Sequence, residues 1–178
     1  RYLESEDHRL RPAIDLLARV AADDPRGVVD LGCGAGNVTR LLARRWPGAA
    51  VVGIDNSEPM LSKARAAASD LANARFEARD LVNWSPDASV DVVYSNAALH
   101  WLDDHARLFP ALFATVAPGG VMAVQMPDNF RAPSHQALFG TASLAPWRER
   151  LAPHVRPAPV AATAAYHEWL QPLAASLD

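Results

Sequence analysis

The run Val28-Val29-Asp30-Leu31-Gly32-Cys33-Gly34-Ala35-Gly36-Asn37 places one acid and three alternate glycines where a short apolar stretch gives way to a helical pattern. Glycines there supply backbone angles that side chains resist, and they let a ligand lie against bare peptide. The helix start that follows favours a carboxylate or phosphate. Two more acids stand in equivalent places. Asp55 closes Val51-Val52-Gly53-Ile54, and Asp80 follows the stretch 74–78. An acid about 20 residues beyond the glycines suits a pair of ribose hydroxyls. Its alternative role is a cap for the helix from Glu58, a job open to Ser57 as well. Asp80 can accept from an adenine amino group while the Leu81 N–H donates to a ring nitrogen. The plainer reading is a solvated loop acid. Met60, one turn into the helix after Asp55, suits an adenine face or the core equally well.

The glycine spacing bears on the kind of ligand. A dinucleotide fingerprint, Gly-x-Gly-x-x-Gly, needs its third glycine at position 37, which is Asn37. The pattern present is Asp-x-Gly-x-Gly-x-Gly, beginning at Asp30. An acid at the strand end suits the cationic amine of S-adenosylmethionine (SAM), and a nicotinamide dinucleotide has no such cation to satisfy. SAM is therefore the favoured ligand, with a dinucleotide and a purely structural turn as the other readings. The cofactor set is Asp30, Gly32, Cys33, Gly34, Gly36, Asn37, Asp55, Asn56, Met60, Asp80, Leu81 and Asn96.

Ser95-Asn96-Ala97-Ala98-Leu99-His100-Trp101 supplies the acceptor side, after a buried apolar run at 90–94. His100 can bind a substrate carboxylate or be an exposed loop histidine. Trp101 can wall a pocket or pack in the core. Arg9, Arg11 and Arg131 are the nearby cations, each of which can equally be a solvated surface group. Asn96 lacks the Pro-Pro-aromatic continuation of amino-group methylases that act on DNA or protein. His8, His100, His105, His135, His154 and His167 form no His-x-x-x-His pair, so a metal-dependent mechanism is not expected.

These residues need a scaffold, and the chain reads as alternating strands and helices. Strands are expected at 28–31, 50–54, 74–78, 90–94 and 121–125, and helices at 7–20, 38–46, 58–69 and 106–116. Pro118-Gly119-Gly120 reads as a tight turn before the fifth strand. Alternation predicts an α/β fold with a mostly parallel central sheet flanked by helices, and ligands beyond the carboxyl ends of the strands. We expect one domain: an N-terminal helical cap at 1–26, a Rossmann-like core at 27–127, and a proline-punctuated helical and loop part at 128–178 with a last helix at 166–173. After that helix no further strand is expected, so either the fold is truncated or further residues belong to it. The chain also lacks an initiating Met, so its start is expected to lie upstream.

Composition narrows the function. Of 178 residues, 50% are hydrophobic and 21% charged, enough apolar material for a packed core. A net charge of −3 without a basic run disfavours nucleic acid. The single cysteine, Cys33, excludes an internal disulfide or a CxxC metal site and suits the cytoplasm. No apolar run reaches the roughly 18 residues of a membrane span, and the first residues do not read as a signal peptide.

Beyond the glycine motif, longer stretches resemble the trans-aconitate 2-methyltransferase family of class I methyltransferases. They are Arg11-Pro12-Ala13, Leu16-Leu17-Ala18-Arg19-Val20, Gly53-Ile54-Asp55, Asn96-Ala97 with Trp101-Leu102, and Gln125-Met126-Pro127-Asp128-Asn129. The likeness covers most of residues 1–135 and thins through the proline-rich part. It implies methyl-ester formation on a carboxylate of a small polycarboxylic acid, with SAM as donor. A carboxylate, with a pKa of about 4, is already ionised near neutrality. No general base is then needed, and catalysis reduces to placement. A SAM enzyme acting on another metabolite through oxygen or nitrogen, and a SAM-binding module without catalysis, are the alternative readings.

Overall fold

The computed structural model describes residues 2–155 and 160–178; the side chains of residues 1–9 and of Ala152 lie outside the description, as do the candidate Arg9, Pro157 and Pro159. The elements run α1 (Tyr2–Arg19), β1 (Gly27–Leu31), α2 (Asn37–Arg45), β2 (Ala50–Asp55), α3 (Glu58–Ala67), β3 (Ala74–Ala78), β4 (Val90–Asn96), α4 (His105–Phe113), β5 (Val116–Gln125), α5 (Pro133–Ala142), α6 (Arg148–Leu151) and α7 (Thr163–Leu170).

The strands form one parallel sheet in the order β3-β2-β1-β4-β5. Alternation along β1 sorts its residues to the two faces, as a two-residue period must. Val28 joins Ala13, Leu17, Leu42 and Tyr94 on the face covered by α1 and α2. Val29 and Leu31 join Leu99, Phe109, Leu112 and Leu170 on the face covered by α4 and α7. Side chains lock these layers. Tyr94 Oη donates to the Ala13 carbonyl of α1 at 2.6 Å, and Arg45 of α2 donates to the carbonyls of Leu17 and Val20 at 2.6 and 2.9 Å. Chain order reverses between β1 and β4. In an open sheet that switch point leaves a crevice beyond the strand ends, and the glycine turn and Asn96 both stand there.

Several expected elements differ in their bounds, α1 among them, which begins at Tyr2 rather than 7. Helix α4 ends at Phe113 rather than 116, and β5 begins at Val116 rather than 121. Pairing resumes before the turn: β4 advances from Val90 to Val92 while β5 advances from Val116 to Val121. Pro118-Gly119-Gly120 is thus a bulge inside the strand. It hugs β4 so closely that a Cβ on Gly120 would lie 2.6 Å from the Asp91 carbonyl oxygen. The last helix starts at Thr163 and ends at Leu170, earlier than expected. Among the described residues no helix is long and apolar enough to cross a membrane.

Candidate functional site

The three glycines of the turn do three different things. The N–H groups of Gly32 and Cys33 both donate to the Ile54 carbonyl, at 2.8 and 2.9 Å, folding the turn over the end of β2. Gly32 sits at φ +76°, and a Cβ there would collide with the Cβ of Ala98. Its bareness lets the segment after β4 close onto the turn. At Gly36 a Cβ would lie 2.9 Å from that of Ala64, so this glycine seats α3. Gly34, at φ +53°, has no atom within 4 Å of such a Cβ. Its backbone faces open space, which is what a ligand cradle requires.

Asp55 ties this turn to the next helix. Its Oδ2 accepts from the Gly34 N–H at 2.9 Å, and its Oδ1 accepts from the Ser57 N–H at 2.8 Å. Ser57 holds the N-cap position of α3 without a side-chain bond, so the cap it was free to make is absent. Asp55 is half-buried, and each carboxylate oxygen keeps acceptor capacity for a hydroxyl. Cys33 is buried, and burial pushes its thiol well above the ordinary range. It stays a thiol near neutrality and offers the site backbone, not a nucleophile.

Asp30 is placed differently from expectation. It is 1% exposed, facing α2, and its Oδ2 accepts from the Thr39 hydroxyl at 2.6 Å. The Thr39 backbone also bonds to it. The side chain therefore anchors the first turn of α2 and does not open onto the crevice. A bound cation would feel its charge from beneath the turn rather than touch it. Burial, opposed by the Thr39 bonds and aided by Asp55, raises its pKa from 3.8 to about 6. A raised carboxyl binds more protons folded than unfolded across that interval, so folding stability falls as pH rises through it. Relative to Asp30→Asn, the wild type is expected to lose roughly 3 kcal/mol between about pH 4 and pH 7. Denaturant unfolding of the ligand-free protein at several pH values measures this, and parallel profiles for the two proteins would refute it.

On the nucleoside side, Asp80 is exposed and caps the 3-10 turn Leu81–Asn83, its Oδ1 accepting from the Val82 N–H at 2.9 Å. The Leu81 side chain leans over the glycine turn, 3.8 Å from where a Gly32 Cβ would be. Met60 is 41% exposed, which removes the core reading for it. Asn37 and Asn56 are exposed at the mouths of α2 and α3.

The acceptor side begins where β4 ends at Asn96. Ala97 takes φ 53°, a left-handed conformation that a non-glycine residue holds only when its surroundings impose it. Its N–H donates to the Gln125 carbonyl at 2.9 Å, and a 3-10 turn, Leu99–Trp101, follows. Two atoms here are buried without a partner, Asn96 Oδ1 and His100 Nδ1. Such orphans are costly, and two together at a strand end make it a candidate place for a ligand. His100 is therefore not a solvated loop residue. Burial, with His105 nearby, lowers its pKa below 6.5, so it rests neutral. Trp101 is 65% exposed and lies against the His100 ring, centroids 4.8 Å apart, which rules out core packing.

Two of the expected arginines, Arg11 and Arg131, are held at the surface by acids of their own segments. Arg11 pairs with Asp15 along the exposed face of α1, at 3.6 Å, and Arg131 pairs with Asp128 at 3.5 Å, also exposed. Each is held by a neighbour three or four residues away, the usual fate of a solvated helix or loop charge. The sequence reading missed Thr39, the partner of Asp30. It also missed the buried His105 and its partner Tyr166. A threonine in the first turn of α2 is a weak local signal; a pair 61 residues apart leaves none.

Comparison with known proteins agrees with this geometry. A family profile described as "Methyltransferase domain" matches residues 28–120. A "Trans-aconitate 2-methyltransferase" of Variovorax paradoxus is 49% identical over 180 residues, covering 99% of this chain and 68% of the relative. One of Methylobacterium radiotolerans with the same name is 47% identical with the same coverage. A crystal structure of an S-adenosylmethionine-dependent methyltransferase from Mesorhizobium loti superposes with a TM-score of 0.55 at 38% identity, over 63% of this chain and 51% of that one. The sheet and the glycine turn thus have close counterparts in both sequence and shape.

Proposed function

We propose, because this chain belongs to the trans-aconitate 2-methyltransferase family of methyltransferase-domain proteins, that it methylates a carboxylate of a small polycarboxylic acid, trans-aconitate foremost. Its cofactor is SAM, which when bound supplies an electrophilic methyl group and leaves as the neutral thioether S-adenosylhomocysteine. The residues fit that cofactor. Gly34 offers bare backbone to open space, and Asp55 at the tip of β2 keeps acceptor capacity for a ribose. Asp80 and Leu81 take the adenine edge, flanked by Met60, and Asn96 Oδ1 is an unpaired acceptor for the amine. Asn37 and Asn56 line the entrance, and the Gly32, Cys33 and Gly36 backbone shapes the turn.

The acceptor arrives already ionised, so the protein needs to hold it rather than deprotonate it. His100 Nδ1, buried and unpartnered, would donate to one carboxylate, and the nearby anion would raise the proton affinity of the ring. Trp101 lies beside it as a cover that excludes water. Arg11 and Arg131 remain available only if they leave their exposed ion pairs. The observation that carries the reading is the juxtaposition, at neighbouring strand ends, of the Gly34 cradle with the two orphaned atoms of Asn96 and His100. Residues 1–26 act as a cap, 27–127 as the core, and 128–178 as the helical cover, and we place the reaction in the cytoplasm.

A labelled-methyl assay with trans-aconitate, cis-aconitate, citrate and isocitrate tests the assignment. Base-labile labelled product is expected from trans-aconitate alone. A product from a hydroxyl or amine acceptor instead would make His100 a base and change the acceptor class. No product from any acid, with SAM binding confirmed by titration, would reduce the chain to a binding module and overturn the proposal.

A further inference from the structure

His105 is the first residue of α4, 4% exposed, and it lies outside the site just described. Its Nε2 stands 3.0 Å from the Leu99 carbonyl oxygen and its Nδ1 2.6 Å from Tyr166 Oη. Tyr166 Oη in turn accepts from the Ala161 N–H at 3.0 Å. The fixed groups choose between the two neutral tautomers. A carbonyl only accepts, so in the neutral ring Nε2 carries the hydrogen that reaches Leu99 and Nδ1 is the bare nitrogen. The tyrosine hydroxyl, which accepts from the Ala161 N–H, then directs its own hydrogen to Nδ1. The result is a one-way chain: Ala161 to Tyr166 to His105, and His105 to Leu99.

Both ends of that chain matter. Leu99 is fully buried and opens the 3-10 turn that carries His100 and Trp101. Tyr166 lies on α7, outside the residues 28–120 that the methyltransferase profile covers. Around the chain, the rings of His105 and Tyr166 pack on Phe109 with centroids 5.3 and 4.6 Å away, and Trp169 abuts Tyr166 at 5.1 Å. The turn follows Ala97, whose left-handed backbone gives the segment no low-energy reason of its own to stay put. Something must hold it: the Ala97 N–H bond to the Gln125 carbonyl holds its start, and the His105 bond to the Leu99 carbonyl is a polar clamp on the turn itself.

We propose that Tyr166 and His105 are positioning residues, through which α7 fixes the placement of the His100 turn and so sets affinity for the acceptor acid. This rests on the reading of His100 as the acceptor-side residue. Neither residue touches substrate; Tyr166 fixes the ring orientation of His105, and His105 fixes Leu99. Helix α7 is thereby part of the acceptor site although it lies on the far side of α4 from it in sequence.

Tyr166→Phe removes one oxygen and keeps the ring. His105→Gln keeps an N–H able to reach Leu99, and His105→Leu does not. In the full chain, with trans-aconitate and SAM, Tyr166→Phe and His105→Leu are expected to raise the acceptor KM about fivefold or more. SAM affinity should stay within about twofold, and His105→Gln should recover much of the loss. If the variants are less stable but keep the wild-type acceptor KM, the role is structural packing only and the inference fails. Should a variant not fold, the wild type still decides: nitrogen NMR of the imidazole, read at a pH where the ring is neutral, must report the proton of His105 on Nε2, and a neutral ring protonated on Nδ1 overturns the chain. No turnover by the wild type itself would fall on the functional reading first, and would take this inference with it.

Discussion

Gly34→Ala should leave the protein folded yet unable to bind SAM measurably, while Gly32→Ala should cost it much of its stability. Both positions have positive φ, so both carry the left-handed penalty of about 1–2 kcal/mol that a Cβ brings. At Gly34 little else happens to the fold, because nothing lies within 4 Å of the added methyl. A less flexible unfolded chain returns about 0.4–1 kcal/mol of that penalty. The methyl instead occupies the space a ligand needs against the backbone. At Gly32 the methyl meets the Cβ of Ala98, and neither atom can rotate away because each is fixed to its own backbone. The ends of β1 and β4 would have to part, adding an overpacking cost of about 1–3 kcal/mol. Denaturant unfolding separates the two variants by stability, and calorimetric titration separates them by affinity. SAM binding by Gly34→Ala at wild-type strength would show that the open face of the turn is not the cradle.

That contrast also marks how far the sequence could be read. The alternation of apolar strand runs with helical patterns made the parallel sheet legible, and the spacing of Asp30, the glycines and Asp55 marked a candidate crevice at the strand ends. The three glycines nonetheless look alike on paper. Only in space does one meet Ala98, one meet Ala64, and one meet nothing. Asp30 was legible in part. It shares strand parity with Val28, whose face is buried under α2, and a two-residue period already turns it inward. What could not be read was its partner, since Thr39 is reached only after the turn has doubled back. The arginines went the other way. Residue type suggested substrate anchors, but Asp15 and Asp128 at helical or turn spacing hold them on the surface. His105 and Tyr166 lay beyond any local pattern, because packing of α7 on α4 creates the pair.

Asp55→Ala is expected to weaken SAM about tenfold or more, since on the proposed ribose role it would delete charge-assisted hydrogen bonds to the sugar hydroxyls. The same change frees the N–H groups of Gly34 and Ser57, which the carboxylate now accepts at 2.9 and 2.8 Å. Both lie where water can reach, so the stability cost should stay near about 1 kcal/mol for each. Asp55→Asn does not rescue the site. Its amide offers one acceptor oxygen where two are used, and its NH2 faces an N–H that it can only repel. The decisive comparison is between SAM and S-adenosylhomocysteine. They share the ribose and differ in charge at sulfur, so a residue that grips the sugar lowers both affinities by the same factor. A residue acting through its field, as Asp30 would from beneath the turn, lowers the affinity for the cation more. Equal losses for the two ligands with Asp55→Ala assign this carboxylate to the ribose; a loss confined to SAM would assign it to the charge, and unchanged binding of both would remove it from the site.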